Sequence, residues 1–400
     1  MGAAVASRSG SPAEVFRAAL RLGLTSFGGP IAHLGYFRRE YVERRGWVDE
    51  ATYADLVALA QSLPGPSSSQ VGIGVGIHRA GLPGGLASWL GFTLPSAVLM
   101  LAFAGLVGAG LVPETGRLVA GLQVAAVAVV AQAVVSMARR LAPDPPRAVF
   151  AGVAAALVLS TGSPLSQVAV LIVAALAGRL LLAPAGVGDT GTERPVVGRR
   201  AGLVAAVVFL VLLATLPLAT LLVDQHGIAL ADAFYRTGAL VFGGGHVVLP
   251  LLDASVVGPG WVSRDAFLAG YGAAQAVPGP LFSFSAYLGA IETPSPNGIA
   301  GALVALPAIF LPGGLLVVAG LSVWGRLTAR PGLRSGLAGI EAAVVGVLLA
   351  ALWDPVITTG IRRPADAVLA GAGFVLLLTG RVPPIAVVGL ATLVTLLLPA

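Results

Sequence analysis

Gly81 to Pro113 carries no charged residue, and neither does Ala201 to Val223 or Thr293 to Gly325. A helix needs about 20 apolar residues to cross the hydrocarbon core of a bilayer. Each of these stretches is long enough. Only 10% of the chain is charged, against about 25% in a soluble domain. With so few charges a chain of 400 residues cannot cover a water-facing surface. The sequence therefore reads as an all-α, multi-pass integral membrane protein, and a soluble globular fold is excluded.

Other classes fall away on residue types. There are 0 Cys, so no disulfide, thiolate nucleophile or cysteine metal site can form. The four histidines, His33, His78, His226 and His246, show no metal-ligand spacing. Every basic residue is Arg, so a Walker lysine is missing and the chain has no P-loop. No motif calls for a cofactor. The net charge of +6 fits cytoplasmic loops beside anionic lipid better than nucleic acid. The start, "MGAAVASRSGSPAEVF", has no apolar core of the kind a signal peptide carries.

The chain repeats itself. "GLTSFGGPIAHL" (Gly23 to Leu34) aligns with "GALVFGGGHVVL" (Gly238 to Leu249). "GWVDEATYADLVALAQSLPGP" aligns with "GWVSRDAFLAGYGAAQAVPGP", and "LVAGLQVAAVAVV" with "LAGIEAAVVGVLL". Phe27 pairs with Phe242, Trp47 with Trp261, Gln61 with Gln275 and Gln123 with Glu341. The expected organisation is a first repeat over 1–183, a linker with one connecting span over 184–227, and a second repeat over 228–400. One added span inverts the second repeat if each half crosses an even number of times. Arginines follow the spans 118–138 and 298–322 and surround the linker. Placing them all inside satisfies the positive-inside rule and leaves the two halves inverted, an architecture that recurs in secondary transporters. On that reading the N-terminus is cytoplasmic.

Each repeat interrupts apolar sequence twice. Phe16 to Gly35 should be a re-entrant or broken helix, turning at Gly28-Gly29-Pro30; residues 51–80 should break at Pro64-Gly65-Pro66. Proline removes an amide donor and blocks the preceding helix. Irregular backbone at membrane depth is tolerated only where protein or a water-filled cavity covers it. A new helix starting after Pro66 presents free amides and a partial positive charge, which suits an anion. The hydroxyls of Ser67, Ser68 and Ser69 can donate there. The candidate binding set is therefore Ser26, Gly28, Gly29, Pro30, Gln61, Pro64, Gly65, Pro66 and Ser67, with Gly243, Gly244, Gly245, Gln275, Pro278, Gly279 and Pro280 from the second repeat. Arg21 and Arg236, each six residues before a paired phenylalanine, offer guanidinium forks for an oxyanion or else snorkel to the interface. His246 and Glu341 are candidate proton carriers; an ionisable group inside a span is a functional suspect.

These motifs resemble the chromate ion transporter family, in its long, two-domain form. The resemblance rests on "SFGGPIAHLGYF", "GWVDEATYADLVALAQSLPGPSSSQ", "FGGGHVVLPLL" and "GWVSRDAFLAGYGAAQAVPGP", and covers nearly the whole chain. It implies an inner-membrane efflux protein that exports chromate and confers resistance, with sulfate as a competitor or counter-substrate. Three alternatives stay open on the residues: a transporter of sulfate or another oxyanion, an anion channel built from the same half-helices, and a membrane-embedded enzyme. The last has neither a GxSxG nor an HExxH motif to support it. The residues do not define whether the chain forms a homo-oligomer.

Overall fold

The computed structural model describes residues 10–27, 29–111, 116–161, 164–182, 196–241, 248–327 and 331–397. Gly28, Gly243, Gly244, Gly245 and His246 lie outside them, as does most of the polar linker. The described residues are helical with no strand.

The first repeat starts with α1 (Pro12–Thr25), which Ser11 caps by accepting the Glu14 N–H at 3.2 Å. It ends at Ser26, and α2 (Gly29–Phe37) follows, running into a π-helical turn at Arg38–Arg44. Next comes α3 (Glu50–Ser62), capped by Asp49 on the Thr52 N–H at 2.8 Å. It stops at the Pro-Gly-Pro, where only glycine accommodates the φ of +125° at Gly65. Then α4 (Ser67–Gly108) runs out, kinks at Ala80 and Gly81, and returns as a long second limb. Helices α5 (Arg117–Leu141), α6 (Pro145–Thr161) and α7 (Pro164–Leu181) complete the repeat, and α8 (Arg199–Leu222) connects.

The second repeat copies this order: α9 (His226–Leu240), α10 (Val248–Leu252), α11 (Arg264–Ala276), then α12 (Phe284–Ile291) after a short 3-10 turn. The kink of α4 becomes an open loop, so its second limb is a separate helix, α13 (Gly298–Leu327). Helix α14 (Pro331–Ala351) extends through a π-helical turn to α15 (Thr358–Gly360), followed by α16 (Pro364–Leu378) and α17 (Pro384–Leu397). Among the described residues five helices, α4, α5, α8, α13 and α14, are long and apolar enough to cross a membrane. Leu203, Leu210, Leu221 and Leu222 of α8 are exposed, as a lipid-facing helix requires.

The copies are antiparallel. Gln123, early in α5, touches Gly360 beyond the end of α14, while Arg140, late in α5, faces Glu341 in the first half of α14. Equivalent helices thus run in opposite directions, so the repeats are inverted. They are also interlocked. Gly121 of α5 abuts Thr392 of α17, where a Cβ would come to 2.5 Å of the backbone; Gly178 of α7 abuts Gly339 of α14, at 2.7 Å. Gly346 of α14 packs on Ala154 of α6, and its counterpart pairing is Ala128 of α5 on Gly373 of α16. The last two helices of each repeat therefore pack on the central helix of the other. Small residues permit this close approach.

Candidate functional site

Each Pro-Gly-Pro meets the end of the opposite repeat's first helix. The Gly65 N–H donates to the Val241 carbonyl at 2.7 Å, and the Gly279 N–H donates to the Ser26 carbonyl at 2.9 Å. These bonds are the same bond made twice, once by each repeat. In both, the glycine of a Pro-Gly-Pro satisfies the carbonyl left open where the opposite repeat's first helix stops. Gly23 lies against the Phe92 carbonyl and Gly238 against that of Ile309, again as a pair. Both first helices thereby dock on the long limb that follows the kink or loop.

At the α4 N-terminus three elements converge. Pro66 precedes the helix and offers no side-chain cap. Gln70 instead donates from Nε2 to the Pro64 carbonyl at 2.8 Å and to the Gly313 carbonyl at 3.3 Å, tying the Pro-Gly-Pro to α13. His33 of α2 brings Nδ1 to 3.3 Å from the Ser68 hydroxyl, and the Ser26 backbone lies beside its ring. Ser26, His33, Ser68, Ser69 and Gln70 are all buried. Ser26 Oγ, His33 Nε2, Ser69 Oγ and Gln70 Oε1 have no protein partner. A buried polar group left unpaired costs about 1–3 kcal/mol, and these four atoms are free to bond a water or a ligand.

The structure places Pro66, Pro278, Gly279 and Pro280 in buried positions at these junctions, with Gly29, Pro30, Gln61, Pro64 and Ser67 half-buried around them. Gln275 hydrogen-bonds the Tyr271 hydroxyl and leaves Nε2 unpartnered. Both arginines stand apart from this centre. Arg21 is exposed and lines an open cavity of about 440 Å³ with Tyr36, Arg39, Glu40 and Arg44. Arg236 pairs with Asp232 one turn earlier, at 2.5 Å. Glu341 is half-buried on α14 with Arg140 and Arg147 as its charged neighbours, remote in sequence and helix from the interruptions. Among the described residues no group of His, Cys, Asp or Glu is placed to hold a metal ion.

Two residues of the cluster escaped the sequence reading, His33 and Gln70. A faint signal existed for the first: His33, Phe37 and Tyr41 recur at every fourth position, and the structure joins Phe37 to His33 and to Tyr41, with Phe92 edge-on to the imidazole at 5.3 Å.

Comparison with known proteins bears on what this centre handles. A chain annotated by name as the chromate transport protein of Pseudomonas aeruginosa is 29% identical over 370 residues, covering 88% of this chain and 83% of that one. The chromate transport protein of Cupriavidus metallidurans is 29% identical over 339 residues, covering 83% and 80%. An uncharacterised transporter of Methanocaldococcus jannaschii is 25% identical over 344 residues, covering 85% and 83%. No solved structure matches. The family model described as chromate transporter matches residues 13–179 and again 228–396. Each match contains one of the two Pro-Gly-Pro junctions, and the chain belongs to the chromate transporter family.

Proposed function

We propose that this chain is a secondary transporter that exports chromate from the cytoplasm across the inner membrane and so confers chromate resistance. The observation that carries the reading is the pair of reciprocal bonds, Gly65 to Val241 and Gly279 to Ser26. They bring the broken-helix ends of two inverted repeats to one place, the arrangement in which secondary transporters bind substrate near the bilayer midplane. Helix N-terminal amides and hydroxyls suit a tetrahedral dianion: they donate without adding a full charge whose burial would be costly. The binding set is Ser26, Gly29, Pro30, Gln61, Pro64 to Ser67, Gln275 and Pro278 to Pro280; Gly28 and Gly243 to Gly245 belong to it by sequence and lie outside the described residues.

Sidedness supports export. Arg140, Arg147 and Arg179 gather with the start of α14 at one end of the bundle, and Ile73 and Ile77 beside the α4 kink pack with Val197 and Val317 at that same end. The positive-inside rule makes it cytoplasmic. The start of α1 lies there too, since Glu14 pairs with Arg79 at 3.2 Å. A dianion leaving a negative cytoplasm gains roughly 2.3 kcal/mol per charge at 100 mV, so about 4.6 kcal/mol, equivalent to a gradient of about a thousandfold. The membrane potential is sufficient to drive export, and neither Glu341 nor His246 is required as a proton carrier.

The test is chromate uptake into inverted membrane vesicles with the potential set by a potassium gradient. Saturable uptake that follows the potential and is blocked by excess sulfate is the expected result. Non-saturable flux would identify a channel. Uptake that ignores the potential and needs a pH gradient would restore a proton carrier to the mechanism. Sulfate uptake without chromate uptake would make another oxyanion the substrate.

A further inference from the structure

The two repeats share a backbone plan at the centre but not its chemistry. In the second repeat Val241 stands where the first has Ser26, Val248 where it has His33, and Leu281, Phe282 and Phe284 where it has Ser67, Ser68 and Gln70. Only Ser283 keeps the hydroxyl of its counterpart, Ser69. Leu281, Phe282 and Phe284 are buried in an aromatic cluster: Phe282 meets Phe310 at 5.7 Å, and Phe284 meets Phe267 at 5.3 Å and Tyr287 at 6.0 Å. The position equivalent to the α4 N-terminus is thus filled with apolar rings. The α4 N-terminus itself carries four buried polar atoms without partners.

We propose that the chain binds one oxyanion, not two, and that it does so in the first repeat, with His33 Nε2 as the residue that selects for it. This rests on the reading of the centre as an oxyanion site. One tautomer of His33 fits this role. In the tautomer that accepts from the Ser68 hydroxyl at Nδ1, 3.3 Å away, the neutral ring carries its proton on Nε2, which has no hydrogen-bond partner in the chain. His33 is 1% exposed and Ser69 2% exposed, so both donors act where water is scarce and a hydrogen bond to an anion is strong. The Ser26 and Ser69 hydroxyls and the first-turn amides of α4 supply the remaining donors, and the described residues of the second repeat close the site through Gly279 without contributing an equivalent set.

Equilibrium dialysis of the purified chain in lipid nanodiscs, against chromate and separately against sulfate, tests this. One chromate per chain is expected. His33→Leu and Ser69→Ala should each weaken binding about tenfold, the loss of one hydrogen bond to an anion. Ser69→Ala removes a hydroxyl and no packing, so it reads the site even if His33→Leu folds poorly. Ser283→Ala, the second-repeat counterpart, should bind as the parent does. Two anions per chain, or unaltered binding in both first-repeat variants, would overturn the proposal and leave the oxyanion reading standing. No binding of either anion by the folded parent chain would overturn both. Sulfate bound with chromate excluded would keep the site and change its ligand.

Discussion

Two ion pairs illustrate how single residues differ between otherwise equivalent positions. At the arginine-rich end, Glu14 pairs with Arg79, whose guanidinium lies over Trp47 at 5.5 Å. At the opposite end, His226 pairs with Glu292 at 2.8 Å, its ring edge-on to Trp261 at 4.5 Å. Trp261 is the repeat counterpart of Trp47, and Glu292 stands where the first repeat has His78. The second pair shares a proton, because burial pushes the Glu292 carboxyl, in the loop between α12 and α13, up to about 8. The folded chain holds this proton more tightly than the unfolded chain, whose carboxyl titrates near about pH 4. Its contribution to stability is therefore complete below about pH 4 and is lost as pH rises through about 8. Glu292→Gln should flatten that decline, and melting temperatures of parent and variant across the range would show parallel curves if the carboxyl were inert.

Among elements, the hairpins formed by α4 and by α12 with α13 depend on glycine facing glycine. A Cβ on Gly76 would overlap the Gly84 carbonyl, and one on Gly301 would overlap the Gly289 carbonyl. Backbone cannot step aside as a side chain can. Gly301→Ala should accordingly destabilise by about 1–3 kcal/mol, the range for overpacking. Gly105→Ala, in the second limb of α4 with open space at its Cβ, should be neutral or stabilise by up to about 1 kcal/mol. Thermal unfolding in detergent separates the two; equal melting temperatures would mean the hairpins do not need their close contact. Gly72 and Gly74 instead face side chains, those of Ser88 and Leu56.

At the scale of the whole molecule, the inverted repeats are not in equivalent states. Helix α11 is buried from Ala266 to Ala274, whereas its counterpart α3 leaves Ala54 exposed and Thr52, Asp55, Val57 and Ala58 half-buried. Gln123 of α5 holds the start of α11, donating from Nε2 to the Asp265 carboxylate at 3.1 Å, and Arg362 pairs with the same carboxylate. One side of the centre is latched and the other is looser. The chain has 0 Cys, so single cysteines report cleanly. Ala54→Cys should react with a membrane-impermeant maleimide from the arginine-rich side, and Leu268→Cys, at the matching position of α11, should be protected from the other. Adding Asp265→Asn should expose Leu268→Cys. Equal labelling of both single cysteines would mean the asymmetry does not survive in the membrane.

The membrane class, the repeat, its inversion and the two Pro-Gly-Pro breaks were all determined by the sequence, because they depend on local properties. Charge-free length sets the spans. Proline and glycine stop helices wherever they stand, and arginine counts orient the halves. The interlocking of the repeats was decided by tertiary structure alone. Gly121 and Gly339 allow close approach to any helix, and nothing local says that α17 and α7, respectively, will supply it. The same holds for the site. Arg21 sits five residues before Ser26, about 140° around the helix, so both cannot face the centre; the buried stripe of Val15, Ala18, Ala19 and Leu22 turns toward the core with Ser26 and leaves Arg21 to the open cavity. In the sequence His33 is one of four scattered histidines. It became a candidate ligand only when folding brought α2 against the first turn of α4, because a donor's value depends on burial and partners, which are set by elements far away in the chain.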